Sequence, residues 1–423
     1  MSLIFYIVIL FFLFGLINNY SKYIIIACSW SLFLRMLCIG NLSLFGIIII
    51  LAIVIGVLRY RDDFYNTEKY PFILCSLLFM SSIVFTNYFS SDKHWGMSIF
   101  SFIVDFGSPY LLWISIKDEE RMHLAIKHIV IFSSLLVLYG LFEVITRYNP
   151  FIEYAILNQD MFGSGIGNST EIRFGFKRIQ SFLPYCGALG CYCSQIILVL
   201  GYIIKYHIDS IFTNQKYLVY LLIGCIFCVL FTGTRSVILC LFVASLYFLK
   251  LSYIIGLNKK QLISIFLVSV IILVFCATSA NMVVSSFTDT QAVGGSNTEM
   301  RQNQFEISLF FLMQKPIFGN GIAYTWVYVK EYVEEIYGAE SVWFPLMIEQ
   351  GLYGILCYLL LLISPCIYAL KNKYYIVVFS VLSFICAKTL SSIPGVPIVY
   401  HILIIVILIK LCHYSKDKLY QYD

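Results

Sequence analysis

Long apolar runs follow one another along almost the whole chain, near residues 3–17, 23–39, 42–58, 71–89, 97–116, 124–146, 181–204, 217–232, 236–250, 261–281, 341–369, 374–392 and 396–412. Most approach the roughly 17–25 residues that a helix needs to cross a bilayer. In lipid every backbone polar group must be satisfied internally, so continuous apolar runs without strand-like alternation read as helices. The first and ninth runs are short, which gives about 12–13 spans by the same length criterion. The expected fold class is therefore an all-α polytopic membrane protein, with residues 1–423 as a single integral membrane domain. Composition agrees. Only 12% of residues are charged and 60% are hydrophobic, whereas soluble proteins carry about 25% charged residues. No small-residue cleavage site follows Phe14-Gly-Leu-Ile-Asn-Asn19, so residues 3–17 read as a retained helix rather than a signal peptide. Neither a soluble domain nor an internal repeat is visible.

Lysine and arginine in short loops set the expected orientation. Lys371-Asn-Lys373, the stretch Lys250 to Lys260 and the tail with Lys410, Lys416 and Lys418 suit the cytoplasm. Alternation then places a smaller loop at 147–180, a tight turn at 232–235 and a large loop at 282–340 on the other side. Loop 59–70 mixes Arg59, Arg61 and Lys69 with three acids, so it points neither way. The net charge of +5 is spread over many loops, which argues against nucleic acid as a partner. Most of the fourteen cysteines lie in apolar runs and read as small buried hydrophobes. Cys225 and Cys228 form a C-x-x-C without a second pair, on an apolar helix.

The large loop is patterned. Asn297-Thr298 suits a helix cap before Glu299, and Pro316 suits its end. Trp326, Val329, Val333 and Ile336 recur at helical spacing, with Lys330, Glu331, Glu334 and Glu335 off that stripe and Gly338 at the end. Two amphipathic helices at the membrane surface are expected there. Long loops that are patterned are usually functional.

Several chemistries find no motif. The six histidines make no H-E-x-x-H, no phosphate-binding P-loop occurs, and no D-x-D offers a metal-bound nucleotide sugar. No metal and no cofactor are expected. Gly163-Ser-Gly165-Ile-Gly167 lacks the strand–helix context of a dinucleotide site and reads as a flexible turn. What remains is arginine and carboxylate at the extracytoplasmic boundary. Arg178 lies in Phe176-Lys-Arg-Ile-Gln-Ser-Phe-Leu-Pro184, Arg235 in Phe231-Thr-Gly-Thr-Arg-Ser236, Arg301 near the start of the first loop helix, and Glu340 at the end of the loop.

Each has a structural alternative. Arg178 can snorkel to lipid phosphate, and Arg301 can pair with Glu299 or Glu306 on a solvated helix face. Glu340 can cap the helix that follows. Arg35 and Asp105 lie deep in apolar runs; such charges read as functional or as structural partners of each other. If the boundary set forms a site, arginine forks suit a diphosphate and a carboxylate suits proton abstraction from a sugar hydroxyl. Diphosphate leaves readily once its growing charge is stabilised. That combination fits glycosyl transfer from a lipid-linked diphosphate donor.

Residues 170–392 resemble the O-antigen polymerase and ligase superfamily. The resemblance rests on Arg178 with Phe182-Leu-Pro184, on Thr232-Gly-Thr-Arg235-Ser236, on Arg301, and on Lys315-Pro-Ile-Phe-Gly319-Asn-Gly321, similar to the family's P-i-x-G-x-G turn. It continues through Ser341, nine further residues, Gly351 and Gly354. In the ligases a histidine precedes that last pattern; here the position is Glu340, as in many polymerases.

The resemblance implies about a dozen helices in the bacterial inner membrane and a site facing the periplasm. It also implies activity on undecaprenyl-diphosphate-linked glycans, as donor and acceptor, among membrane lipids. A chain-length regulator and a flippase are implied partners. The roles expected are Arg235 and Arg301 on the diphosphates, Glu340 on the acceptor, and Arg178 and Ser341 as substrate contacts. Arg173 and Lys177 would add positive potential, with a solvated loop as the competing reading. The alternatives are a ligase that transfers finished polymer to lipid A core or protein, and a flippase of lipid-linked sugars. Ser391-Ser-Ile-Pro394-Gly-Val-Pro397 suits a transporter's broken helix but equally a turn between spans.

Overall fold

The computed structural model describes residues 2–39, 42–65, 70–162, 166–167, 171–173, 176–206, 215–255, 298–329, 339–391 and 398–420. In chain order the helices are α1 (Ser2–Asn18), α2 (Tyr20–Ser29), α3 (Ser31–Met36), α4 (Leu44–Arg59), α5 (Arg61–Tyr65), α6 (Ile73–Phe89), α7 (Trp95–Ser115) and α8 (Glu119–Thr146). They continue with α9 (Pro150–Leu157), α10 (Gln159–Phe162), α11 (Cys186–Lys205), α12 (Gln215–Phe231), α13 (Arg235–Ile255), α14 (Thr298–Gln314), α15 (Trp343–Asn372), α16 (Tyr375–Leu390) and α17 (Ile398–Tyr420). Two short antiparallel hairpins, β1–β2 (Cys38–Ile39 with Leu42–Ser43) and β3–β4 (Ile172–Arg173 with Phe176–Lys177), are the strands among the described residues.

Among the described residues, five helical stretches are long and apolar enough to cross a membrane: Ser98–Ser115 in α7, α8, α11, α15 and Ile398–Ser415 in α17. Six shorter apolar stretches stand among them: Phe5–Asn18, Leu44–Arg59, Ile73–Phe89, Lys216–Phe231, Arg235–Phe248 and Tyr375–Leu390. The all-α membrane fold expected from the apolar runs is therefore the one observed. The run 23–39 is divided into α2 and α3 at Trp30, and the run 261–281 lies outside the described residues.

Helix α11 occupies the centre and is buried along nearly its whole length. Small residues let neighbours approach it closely: a Cβ on Gly190 would stand 2.5 Å from the Val237 side chain of α13. Polar side chains tie the same helices together. Gln195 donates to Ser383 Oγ at 2.8 Å and accepts from Ser380 Oγ at 2.6 Å, joining α11 to α16. Cys225 and Cys228 are buried free thiols.

The two ends of the bundle are chemically distinct. At one end Arg121 donates to Asn19 (3.0 Å), Tyr60 to the Ile17 carbonyl (2.7 Å), and Tyr374 meets His413 (3.0 Å). Arg59, Lys117, Lys205, Lys371 and Lys373 sit at the helix ends and turns of this end. The other end gathers the β1–β2 hairpin, the turn after α6, the segment between α8 and α11, the turn before α13, and α14. Asn149 donates to the Ser181 carbonyl (2.7 Å), the Ile179 amide to Phe231 (3.2 Å), and Ser90 to Asn320 (3.1 Å).

His401 in α17 is fully buried, its ring stacked at 3.9 Å and 3° on Phe384, and neither nitrogen has a hydrogen-bond partner. A buried polar group left unpaired costs about 1–3 kcal/mol. His401→Phe is thus expected to keep or raise the thermal midpoint of the detergent-purified protein. A clear drop in that midpoint would mean that the imidazole is satisfied in the membrane.

Candidate functional site

The apolar run 341–369 predicts one helix, but α15 is broken inside. Gly351 takes φ 65° and ψ −162°, a conformation essentially restricted to glycine. The break leaves two carbonyls and two amides without helical partners, and the turn Pro316–Gly321 supplies them. Asn320 N donates to Ile348 O (2.9 Å) and Gly321 N to Glu349 O (3.1 Å), while Leu352 N and Tyr353 N donate to Pro316 O (2.9 Å) and Ile317 O (3.0 Å). Asn320 Nδ2 adds bonds to Phe311 O and Ile348 O, both 3.0 Å. Helix α6 clasps the turn from behind: Thr86 donates to Phe318 O (2.9 Å), and Ser82 donates to Gln350 Oε1 (3.0 Å). The short segment Trp343–Gln350 is thus held as a separate half-helix at the mouth of the bundle.

Directly before that half-helix stands Glu340. Arg301 Nε and Nη2 donate to its Oε2 at 3.1 and 2.9 Å, and Nη2 also reaches the Leu390 carbonyl at 2.9 Å. Gln304 Oε1 accepts from the Glu340 amide at 3.1 Å, one helical turn beyond Arg301 on α14. Both charged side chains stay partly open, Arg301 at 40% and Glu340 at 27% exposure. Arg301 therefore does not pair along its own helix with Glu306, which instead accepts from Gln302 (3.0 Å). Nor does Glu340 cap α15: the capping residue is Val342, without a side-chain bond. Ser341 is buried, and its hydroxyl accepts from the Trp343 amide at 3.4 Å. The Val342 amide donates to Lys388 O (3.0 Å), so the end of α16 is built into the same junction.

A second cluster surrounds Arg178. Its guanidinium donates to Glu171 Oε2 (2.7 Å), Thr232 O (2.8 Å) and Thr234 Oγ1 (2.8 Å), and its side chain is 15% exposed. Arg178 thereby fastens the hairpin segment to the turn that launches α13 with Arg235. Buried Glu143 fixes the next residues by accepting from the amides of Gln180 (3.0 Å) and Ser181 (2.9 Å). A lysine's compact ammonium cannot span the three separate acceptors that the planar fork reaches from Nε, Nη1 and Nη2. At about 1.5–3 kcal/mol per charge-assisted bond, Arg178→Lys is expected to lower the unfolding midpoint and speed proteolysis between α8 and α11. An unchanged cleavage rate would deny it that fastening role.

Helices α13 and α16 run antiparallel, with Tyr247 against Phe379 at one level. This brings Arg235, at the start of α13, to the level of Leu390, whose carbonyl holds Arg301. The structure thus joins Arg301 to Glu340 directly, ties Arg178 to the turn bearing Arg235, and sets both clusters at one end of the bundle. Arg173 and Lys177 belong to the β3–β4 hairpin beside Arg178. The second loop helix is represented by a π-helical turn at Thr325–Val329, and 330–338 and 392–397 lie outside the described residues.

The residues missed by sequence reasoning are Glu143, Gln304, Glu349 and Lys388. Glu143 carried a usable signal as a charge inside an apolar run. Gln304 is ordinary in sequence and matters only through its contact. Among the described residues no group of three or more His, Cys, Asp or Glu is placed to hold a metal.

Residues 220–359 match the family model described as O-Antigen ligase. The matched segment runs from α12 into α15 and takes in the Arg235 turn, Arg301, Glu340 and the break at Gly351. This bears out the resemblance to the O-antigen polymerase and ligase superfamily over that segment. The match is narrower than 170–392 and leaves Arg178 and Glu171 outside it, while Thr232 and Thr234, which accept from Arg178, fall within it. No curated protein matches the chain.

Proposed function

We propose that the protein is a polymerase of lipid-linked glycans. It joins a growing chain, carried on undecaprenyl diphosphate, to the non-reducing end of a new lipid-linked repeat unit. The observation that carries this reading is the Arg301–Glu340 pair, with a carboxylate where ligases have histidine. The acceptor hydroxyl attacks the anomeric carbon of the donor sugar and its proton passes to Glu340. The bond between that carbon and the diphosphate oxygen breaks, and the electron pair leaves with the diphosphate. Arg301 and Arg235 are the cations at the level where that charge develops, which is the position electrostatic stabilisation requires. The lysine- and arginine-rich ends of α4, α11 and α15 face the cytoplasm on this reading, and the site faces the periplasm of the inner membrane.

Gene deletion followed by sizing of lipid-linked and surface-attached glycan is the test. Loss of long chains from both pools, with single repeat units remaining, is the expected result. Long chains stranded on undecaprenyl diphosphate would make the protein a ligase, and single units stranded on the cytoplasmic side would make it a transporter.

A further inference from the structure

A cavity of about 160 Å³ lies between α3, the β1–β2 hairpin and α7, away from the Arg301–Glu340 pair. Arg35, Cys38, Ser43, Phe100, Ser101 and Asp105 line it. Arg35 and Asp105 form an ion pair, which makes good the pairing that the sequence allowed for these two intramembrane charges. The Arg35 guanidinium also stands 5.2 Å from the Phe45 ring centroid.

A purely structural pair in an apolar layer is expected to be sealed and fully hydrogen-bonded, because desolvation otherwise exceeds the attraction. This pair is neither. Both side chains are 23% exposed, and Arg35 Nε has no hydrogen-bond partner. The void is also many times the roughly 10–15 Å³ that one water occupies by a comparable measure. It opens beside exposed Ser101 and under Ser43, where α4 begins at Leu44 and a Cβ on Gly46 would stand 2.6 Å from Phe100. That is the end of the bundle holding the candidate site: Phe33 of α3 packs on Phe182 at 5.9 Å.

The lining selects its ligand. One guanidinium and one carboxylate cancel, and the remaining polar lining is the Cys38 thiol and two hydroxyls. An anion would meet Asp105 and a cation Arg35. Hydroxyl groups donate and accept at once, satisfying both charges and the two serines, and the Phe100 ring offers an apolar wall. Ligand pockets for drug-sized molecules run to about 300–1,000 Å³, so this one suits a single ring.

We propose that this cavity is a saccharide subsite, which holds one sugar ring of the lipid-linked glycan remote from the bond being formed. The assignment rests on the polymerase reading, and it makes Arg35 and Asp105 retention groups that keep the growing glycan in place between additions.

The test uses the full-length protein. Ser101→Trp fills the mouth of the cavity, and Ile103→Trp, on the exposed side of the same helix, is the control. Ser101→Trp is expected to shorten the modal chain several-fold while single linkages still form, and Ile103→Trp to leave the distribution unchanged. Binding of the repeat-unit oligosaccharide released from the same strain, measured by calorimetry on detergent-purified protein, should weaken at least tenfold in Ser101→Trp and persist in Glu340→Gln. Should Ser101→Trp fail to reach the membrane, Ser101→Val removes the hydroxyl with little bulk and is expected to weaken binding in the same direction.

Wild-type chain length and saccharide affinity in the Ser101 variants would overturn the subsite and leave the polymerase reading intact. Altered phospholipid retention in native mass spectrometry, with saccharide affinity unchanged, would also overturn it, in favour of a lipid headgroup. Long chains surviving gene deletion would remove the polymerase reading, independently of the binding result.

Discussion

Glu340→Gln is expected to abolish long-chain glycan while the protein accumulates in the membrane at its normal level. The substitution keeps the size of the side chain and an oxygen that accepts from Arg301, so the link from α14 to the start of α15 survives. What it removes is the ability to take a proton. Loss of a general base typically lowers a rate by about 10²–10⁴-fold, enough to leave a ladder of one or two repeat units in a gel of surface glycan. Glu340→Asp retains the base on a shorter arm and is expected to recover part of the activity. Near-normal chain length in Glu340→Gln would take Glu340 out of the mechanism and leave it as a tether for Arg301.

Gly351→Ala is expected to fail differently, losing both activity and protein. At Gly351 the backbone adopts φ 65°, and a Cβ would stand 2.7 Å from both Gly319 N and Ile317 O. Gly319, at φ 72°, is tighter still, with a Cβ only 2.2 Å from the Glu349 carbonyl oxygen. Backbone strain alone costs about 1–3 kcal/mol at such a position, and these contacts are with backbone that has little room to yield. The turn would be driven off the break, leaving Ile348 O, Glu349 O, Leu352 N and Tyr353 N unsatisfied in an apolar layer. A lowered thermal midpoint together with reduced membrane abundance is the expected signature, and Gly319→Ala should show the same. Wild-type stability in both variants would mean that the half-helix is not held by this turn.

These two results separate what was legible in the sequence from what was not. The positions of the apolar helices follow from run length, because lipid leaves a backbone no other way to satisfy itself. The partner of Asp105 was also within reach, since a charge in an apolar run needs a counter-charge and Arg35 was one of few available. Arg301 was harder. The neighbouring sequence offered Glu299 and Glu306, yet the observed partner lies 39 positions away, because α14 packs along α15 rather than standing in solvent. The break at Gly351 was not legible. The run 341–369 is apolar apart from a few polar residues such as Glu349 and Gln350, and its G-x-x-G reads as a family signature with no conformational content. Only the insertion of Pro316–Gly321 makes a left-handed glycine the better choice there, and tertiary context of that kind leaves no periodic trace. Lys388 escaped for a related reason: it contributes a carbonyl, which every residue has.

The manner in which that turn is seated constrains how the protein is free to diverge. Four of the bonds that span the break are made by main-chain atoms alone, two on each side and in fixed register. Exchanging a solvent-facing side chain such as Ile317, which is 59% exposed, leaves them intact. Adding or deleting one residue between Pro316 and Gly321 shifts every donor off its acceptor at once. The segment is therefore a ruler: outside Gly319, Asn320 and Gly321 its spelling is open to drift, but its length is not.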